Sequence, residues 1–405
     1  MYRKTSYLLP LLLLLLIGEP ISCAKSSPHG KPRQVLWSRN HIEAFLNDSL
    51  NINHPSFKYL ISRADSYCGM APLTVVNKPF LPSSGKVNDY MSLSTYAWPD
   101  TTKTDGLPYR VKDGYSNPEA DKFDFPLLVE MSSRVQALTL AWYLTKKQEY
   151  AEKALEQVRV WFINQSTKMN PHMNYGQVVP GTNNGKGYDY GVLDGYYFVE
   201  MLDALILLEE YPGFSKREQN LVKKWFSKYL KWLTTSALGK SERNSRNNHG
   251  TSYDGQVLAF SIYTENHKKA EDVISGFGSK RIRKQIEADG SQPRELKRTR
   301  SFSYSIMNID RTMDFLLMAS FYGNPLPKED VDLFLKSIEF ILPYTGIKHE
   351  QWPYKQVINA DYDKRLFLMD TYIISTYIAP YNEVLKGVEK PQDDRSRRNI
   401  NNIIY

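Results

Sequence analysis

Residues 127–144 read LLVEMSSRVQALTLAWYL. Apolar side chains return at three-to-four spacing through Val129, Val135, Leu138, Ala141 and Trp142, the period that lines one face of an α-helix. The pattern recurs over Tyr150 to Phe162, Val192 to Tyr211, Lys216 to Thr235, Gln256 to Tyr263 and Ala270 to Glu287, then over Tyr304 to Phe321, Glu329 to Leu342 and Leu366 to Ala379. Strand-like alternation is scarce. Successive helices of this length on short polar links pack as antiparallel pairs, so the chain reads as all-α. Closure of helical hairpins into a toroid is the natural arrangement, although an open solenoid or a bundle has the same periodicity. The lack of a sequence repeat of fixed period weighs against the solenoid.

The first residues bound the compartment. After Arg3 and Lys4, Leu8 to Ile17 is almost entirely leucine, and Gly18 to Cys23 is short and rich in small residues. This is the pattern of a signal peptide over residues 1–23, shorter than the roughly 18 to 20 residues a membrane-spanning helix needs. Cleavage near Ala24 is one outcome, and lipidation of Cys23 as the first residue of a bacterial lipoprotein is the other, the only route to a membrane. The expectation is an exported protein, periplasmic or secreted. Without Cys23 only Cys68 remains, so no disulfide framework supports the fold.

The formal charge of the 405-residue chain is +8. A basic exported protein suits a polyanion, and outside the cytoplasm that means an acidic polysaccharide before nucleic acid. On charge alone an ordinary solubilising surface fits as well. The basic residues are dispersed and no nucleic-acid module is present. Tyrosines number 28 against 17 phenylalanines, and exposed Tyr and Trp offer sugar rings a flat apolar face with a polar edge.

Three stretches, residues 88–121, 167–189 and 243–255, break the helical pattern and are too long and polar to be mere connectors. Ordered loops on a helical scaffold are where binding groups collect. The first carries Tyr90, Tyr96, Trp98 and Tyr109, which form a candidate lid over sugar rings or simply pack the loop onto the helices. The second carries His172, Tyr175 and Gln177 as candidate subsite residues. The third ends in Asn247-Asn248-His249-Gly250-Thr251-Ser252-Tyr253-Asp254, and Asp289-Gly-Ser-Gln-Pro-Arg294-Glu295-Leu-Lys-Arg298-Thr-Arg300-Ser-Phe-Ser-Tyr304 follows further on.

Together with the Tyr96-Ala-Trp98-Pro99-Asp100 loop, these strings resemble the alginate lyase family, in order from about Asp89 to Tyr322. Within it the chain looks closer to the glucuronan and alginate lyases of polysaccharide lyase family 38 than to family 5, whose members usually carry a histidine directly after the catalytic tyrosine where this chain has Ser305. The resemblance implies an α/α toroid, an incomplete barrel of antiparallel helical hairpins; the domain is expected to span residues 24–386, and the charged, amide-rich stretch at 387–405 reads as a polar tail. The resemblance also implies cleavage of a uronic acid polymer, mannuronan, alginate or glucuronan, by β-elimination.

That reaction removes the C5 proton beside a carboxylate and expels the C4 oxygen. The carboxylate must be neutralised before a side chain can take so weakly acidic a proton. Arg298 can supply a charge-assisted fork, with Asn248 and His249 adding donors as the group becomes enolate-like. Arg294 and Arg300 are the alternatives to Arg298. Tyr304 is the candidate proton-transfer residue, and its free pKa of about 10 means that a cation such as Arg298 must favour the phenolate if it is to act as base. When the C5 proton and C4 oxygen share a face, as in mannuronate and glucuronate, one tyrosine can serve both. In guluronate they lie on opposite faces, and His249 would be the base with Tyr304 the acid. Asp254 is expected to orient a neighbour or fix the turn.

No cofactor is required. The seven histidines show no paired ligand spacing, and no calcium-loop pattern occurs. Two rival classes remain: a glycoside hydrolase working through carboxylates such as Asp194, Asp254 and Glu295, and a non-catalytic uronan-binding protein.

Overall fold

The computed structural model describes residues 33–344, 349–358 and 360. The signal segment with Cys23, the helix expected over 366–379 and the polar tail lie outside them. Helices α1 (Arg39–Asn47) and α2 (Pro55–Cys68) open the fold. Four short strands follow in the first two polar stretches, β1 (Met91–Leu93), β2 (Ala97–Trp98), β3 (Arg110–Val111) and, later, β4 (Tyr175–Val178). Between β3 and β4 run α3 (Asp124–Thr145) and α4 (Gln148–Val158). After β4 come α5 (Tyr196–Glu200), α6 (Leu202–Leu208), α7 (Lys216–Thr235), α8 (Ala237–Arg243), α9 (Asn248–Tyr263) and α10 (His267–Phe277). The described helices end with α11 (Arg283–Gln285), α12 (Pro293–Leu296), α13 (Ser301–Tyr322) and α14 (Lys328–Ile341).

The helices form an α/α toroid of hairpins. Pairs α3 with α4, α9 with α10 and α13 with α14 are joined by links of a few residues and pack against one another. The first helix of each pair is buried nearly throughout its later turns, whereas α4, α7, α10 and α14 each bury only one stripe. A helix surrounded by others must be apolar or internally satisfied all round, and an outer helix needs only one apolar face. Local chemistry sets the ends. Ser215 accepts from the Glu218 backbone N–H while the Glu218 carboxylate accepts from the Ser215 N–H, a reciprocal cap for α7. Gly323, at φ +85°, turns the chain out of α13. Between inner and outer layers Phe162, Phe198, Trp225, Phe226 and Tyr229 interlock edge-to-face and stacked, with Trp225 and Tyr229 nearly parallel at 5.4 Å.

Three expectations change. The stretch 243–255 is not a loop: α9 begins at Asn248. Its first turns carry Thr251, Ser252, Asp254 and Gln256, all buried, so no apolar stripe marks them. Tertiary partners replace the apolar face. Thr251 lies 2.8 Å from Asn308 Oδ1 and Gln256 donates to the Val192 carbonyl. The segment 192–211 breaks into a 3-10 turn, α5 and α6, with Met201 between the helices. Helix α4 runs into a π-helical turn over Arg159–Ile163, and α10 into another over Gly278–Ile282.

The polar stretches are anchored. Asp124, opening α3, pairs with buried Lys78 and accepts from the Met91 N–H. Strand β1 pairs in parallel with β4, and β2 pairs antiparallel with β3. The first two stretches are thereby tied to one another through β1 and β4. Among the described residues no helix is long and apolar enough to cross a membrane.

Candidate active site

Asn248 is the first residue of α9, completely buried, and α12 places Glu295 opposite it. The Asn248 backbone N–H donates to Glu295 Oε1 at 2.7 Å and its side-chain Nδ2 to Oε2 at 2.7 Å. Those two bonds fix which way the amide points, because a carboxylate can only accept when ionised. Asn248 Oδ1 is buried with no hydrogen-bond partner, and one Nδ2 hydrogen remains beyond the bond to Glu295. Burial raises the Glu295 carboxyl, opposed by the two bonds from Asn248 and by the charges of Arg298 and His249. Arg298 and His249 therefore both act on the group that holds Asn248.

His249 follows on the same turn. Its Nδ1 lies 2.9 Å from Oε1 of Glu242, a carboxylate 1% exposed at the end of α8, as an ion-pair contact. Nε2 has no protein partner among the described residues. Ser245 Oγ donates to the other Glu242 oxygen at 3.3 Å.

Tyr304, in the first turns of α13, is buried, and its hydroxyl sits 2.7 Å from the hydroxyl of Tyr96. The Arg298 guanidinium stacks on the Tyr304 ring, 4.0 Å from its centroid, and its NH2 donates to Asp113 Oδ1 at 3.1 Å. Thr299 Oγ1 takes the other Asp113 oxygen at 2.7 Å. Burial alone would raise Asp113, but the bonds from Thr299 and Arg298 outweigh it and hold the carboxyl below its ordinary value. Gly114, at φ +89°, makes this approach possible. A Cβ there would stand 2.7 Å from Thr299 Oγ1.

Arg298 does favour the Tyr304 phenolate, as expected, but it does not prevail. Burial pushes the phenol well above its ordinary value, and the charge and hydrogen bond of Tyr96 add to that, outweighing Arg298. A group surrounded by protein loses more solvation on ionising than one stacked guanidinium, itself paired with Asp113, returns.

Of the other arginines, Arg300 donates to the Gly114 carbonyl at 2.6 Å and lies over the Tyr96 ring at 5.4 Å, so it braces the loop that carries Tyr96. Arg294 is exposed and lines a separate cavity. Arg298 is the one on Tyr304.

The aromatic residues divide. Tyr96 belongs at the Tyr304 hydroxyl. Tyr90 is fully buried with its hydroxyl on Asp194 at 2.9 Å, which corrects its nomination as a sugar-stacking surface. Trp98 is partly exposed, donates to the Tyr115 carbonyl and has Lys112 over one face. Tyr109 donates to Glu119 at 2.9 Å. Both are packed into their own loop. His172 lies 3.2 Å from buried Asp89 and edge-on to Tyr175; burial lowers its pKa against the pull of Asp89. Gln177 donates to Asp194 at 3.0 Å.

The nominated hydrolase carboxylates do not face one another across a cleft. Asp194 accepts from Tyr90, Ser92 and Gln177, and burial against those bonds lifts it to about 6. Asp254 is paired with Arg281 at 2.7 Å, and Glu295 holds Asn248. All three are at most 5% exposed, against the two solvent-facing carboxyls that glycoside hydrolysis needs. Among the described residues no three His, Cys, Asp or Glu side chains gather as metal ligands.

Sequence reading missed Glu242 and Asp113. Glu242 sits in an ordinary helical end with nothing to distinguish it, and Asp113-Gly114 reads as a turn pair.

The alginate lyase family model matches residues 74–352. An alginate lyase from Bacteroides ovatus, known from its crystal structure, is 34% identical, with 93% of this chain and 99% of that one covered at a TM-score of 0.84. Alginate lyase A1-III, as a histidine-to-alanine variant complexed with tetrasaccharide, shares the fold at 14% identity and a TM-score of 0.53, covering 87% of this chain and 95% of that one. No curated protein matches. The chain belongs to the alginate lyase family and is a polysaccharide lyase.

Proposed function

We propose that the chain cleaves alginate or a closely related uronan by β-elimination at Asn248, His249, Arg298 and Tyr304. The observation that carries this is that Glu295 links the four groups: it holds Asn248 by two hydrogen bonds and feels the charges of His249 and Arg298, and Arg298 in turn stacks on Tyr304. Arg298 and the free Asn248 N–H neutralise the carboxylate of the reacting uronate. Tyr304, held as a phenol, is ready to give its proton to the departing C4 oxygen, and Tyr96 is placed to pass a proton to it. On guluronate His249 takes the C5 proton from the opposite face. On mannuronate or glucuronate Tyr304 serves both steps: it first loses its phenolic proton to solvent, a change that stacked Arg298 favours, then takes the C5 proton and passes that proton to the C4 oxygen. The leucine-rich leader supports action outside the cytoplasm.

The test is incubation with polymannuronate, polyguluronate and glucuronan, following ultraviolet absorbance of the unsaturated product beside reducing ends. Both should rise together on one polymer, and Tyr304→Phe should lower kcat by about 10² to 10⁴-fold, the scale of a lost acid–base group, while the chain stays folded. Reducing ends without absorbance would show hydrolysis. Binding with no product from the unaltered chain would show a uronan-binding protein.

A further inference from the structure

A concavity of about 930 Å³ is lined by Arg246 and Arg294, chain neighbours of the Asn248–Glu295 pair, but by none of Asn248, His249, Arg298 or Tyr304. That is the upper end of the roughly 300 to 1,000 Å³ typical of ligand sites. Its wall comes from the end of α8 and the turn after it (Arg243, Arg246), from α10 (Lys269), from the π-helical turn and α11 (Lys280, Lys284), and from α12 (Arg294). None of these six cations has a side-chain hydrogen bond or ion pair among the described residues. Of the two acids in the wall, Asp254 is taken by Arg281, which also donates to the Ser245 and Arg243 carbonyls, and only Asp272 stands against the six. Unpaired like charges gathered on one concave surface repel one another, so a site of this kind is stabilised by an anion with several negative groups. The π-helical turn Gly278–Ile282 sends Ser279, Lys280 and Arg281 to the same wall, the kind of local helix irregularity that often marks a binding surface.

We propose that this basic concavity is an accessory site for an acidic polysaccharide, holding carboxylates of the polymer away from the residue being cleaved. The choice of a uronan as ligand rests on the proposed function; the anionic character of the ligand does not. Arg246 stands two residues before Asn248 and Arg294 directly before Glu295, so a chain held here stays tethered beside the reacting centre. Capture then matters for long polymers and not for short oligomers.

The experiment uses the full chain carrying Tyr304→Phe, so that the polymer survives, and compares it with the same chain further changed by Lys269→Gln, Lys280→Gln and Lys284→Gln together. Binding of sodium polymannuronate is measured by titration calorimetry at low and at moderate salt, with neutral dextran as control. Loss of three cations should weaken binding about tenfold at low salt and flatten its salt dependence. The matching Lys→Arg triple, which keeps the charge, should bind as the parent does, separating charge from folding. With Tyr304 intact, the Lys→Gln triple should raise KM on polymer, leaving kcat and the rate on a mannuronate tetramer within about twofold. Equal polymannuronate binding by the Gln triple and its parent overturns the proposal. Lysine-dependent binding in a chain whose unaltered form yields no unsaturated product sustains the accessory site and sinks only the lyase assignment.

Discussion

Replacement of Glu295 by alanine tests how far the site depends on a residue that need not touch substrate. Glu295 is 1% exposed and accepts both the backbone and side-chain N–H of Asn248, each at 2.7 Å. A hydrogen bond to a charged group contributes about 1.5 to 3 kcal/mol, so two amount to about 3 to 6 kcal/mol gross. Part of that is offset because alanine removes a carboxylate whose burial is costly, as its raised pKa indicates. A net loss of about 2 to 4 kcal/mol is expected in urea unfolding, with the denaturant slope unchanged. Because the Asn248 amide then has no fixed direction, kcat should fall about 10² to 10³-fold, the scale of losing one preorganised donor. The isostere Glu295→Gln sharpens the argument. Its oxygen still accepts the Asn248 backbone N–H, but its NH2 faces the Asn248 NH2 unless that amide turns over. Much of the stability should return and little of the rate. Equal recovery of both, or a Glu295→Ala chain with unaltered kcat, would refute the claim that Glu295 positions Asn248.

Two further outcomes follow from the same geometry. Arg298→Lys keeps the charge but cannot both stack on Tyr304 and reach Asp113, so kcat/KM on polymannuronate should drop about 10²-fold, read by initial rates of absorbance increase. Asp194, raised to about 6 by burial, binds a proton in the folded state before it does in the unfolded one. Its contribution is therefore fully present below about pH 4 and lost as pH rises through 6, a change of about 3 kcal/mol that Asp194→Asn should remove from the difference between the two stability–pH curves.

The outer and inner helices were legible to different degrees. Helix α7, with a polar face, a reciprocal cap and one apolar stripe, is read from sequence with its observed bounds, and α3, α13 and α14 fall within a few residues of theirs. Helix α9 was legible only from Gln256 onward. Its first two turns bury polar side chains against α13, Gln285 and Arg281, and pattern cannot show that such partners exist. Helices α1 and α2 were not anticipated, and the first and second polar stretches are ordered and tied together by short strands.

The sequence by itself determined the helical class, the residue types of the candidate site and, through three motif strings, the family. These are properties of order and spacing, which a chain carries whether or not it is folded. Tertiary structure alone decided which of three arginines meets Tyr304, since Arg294, Arg298 and Arg300 are equivalent in composition and differ only in where α12 and the start of α13 aim them. It also decided that Tyr96 and Asp113, some two hundred residues away, meet Tyr304 and Arg298, that Tyr90 and Asp194 are buried ties and that burial raises the Tyr304 phenol. Burial and long-range charge pairing depend on which surfaces the toroid brings together, and no local pattern encodes them.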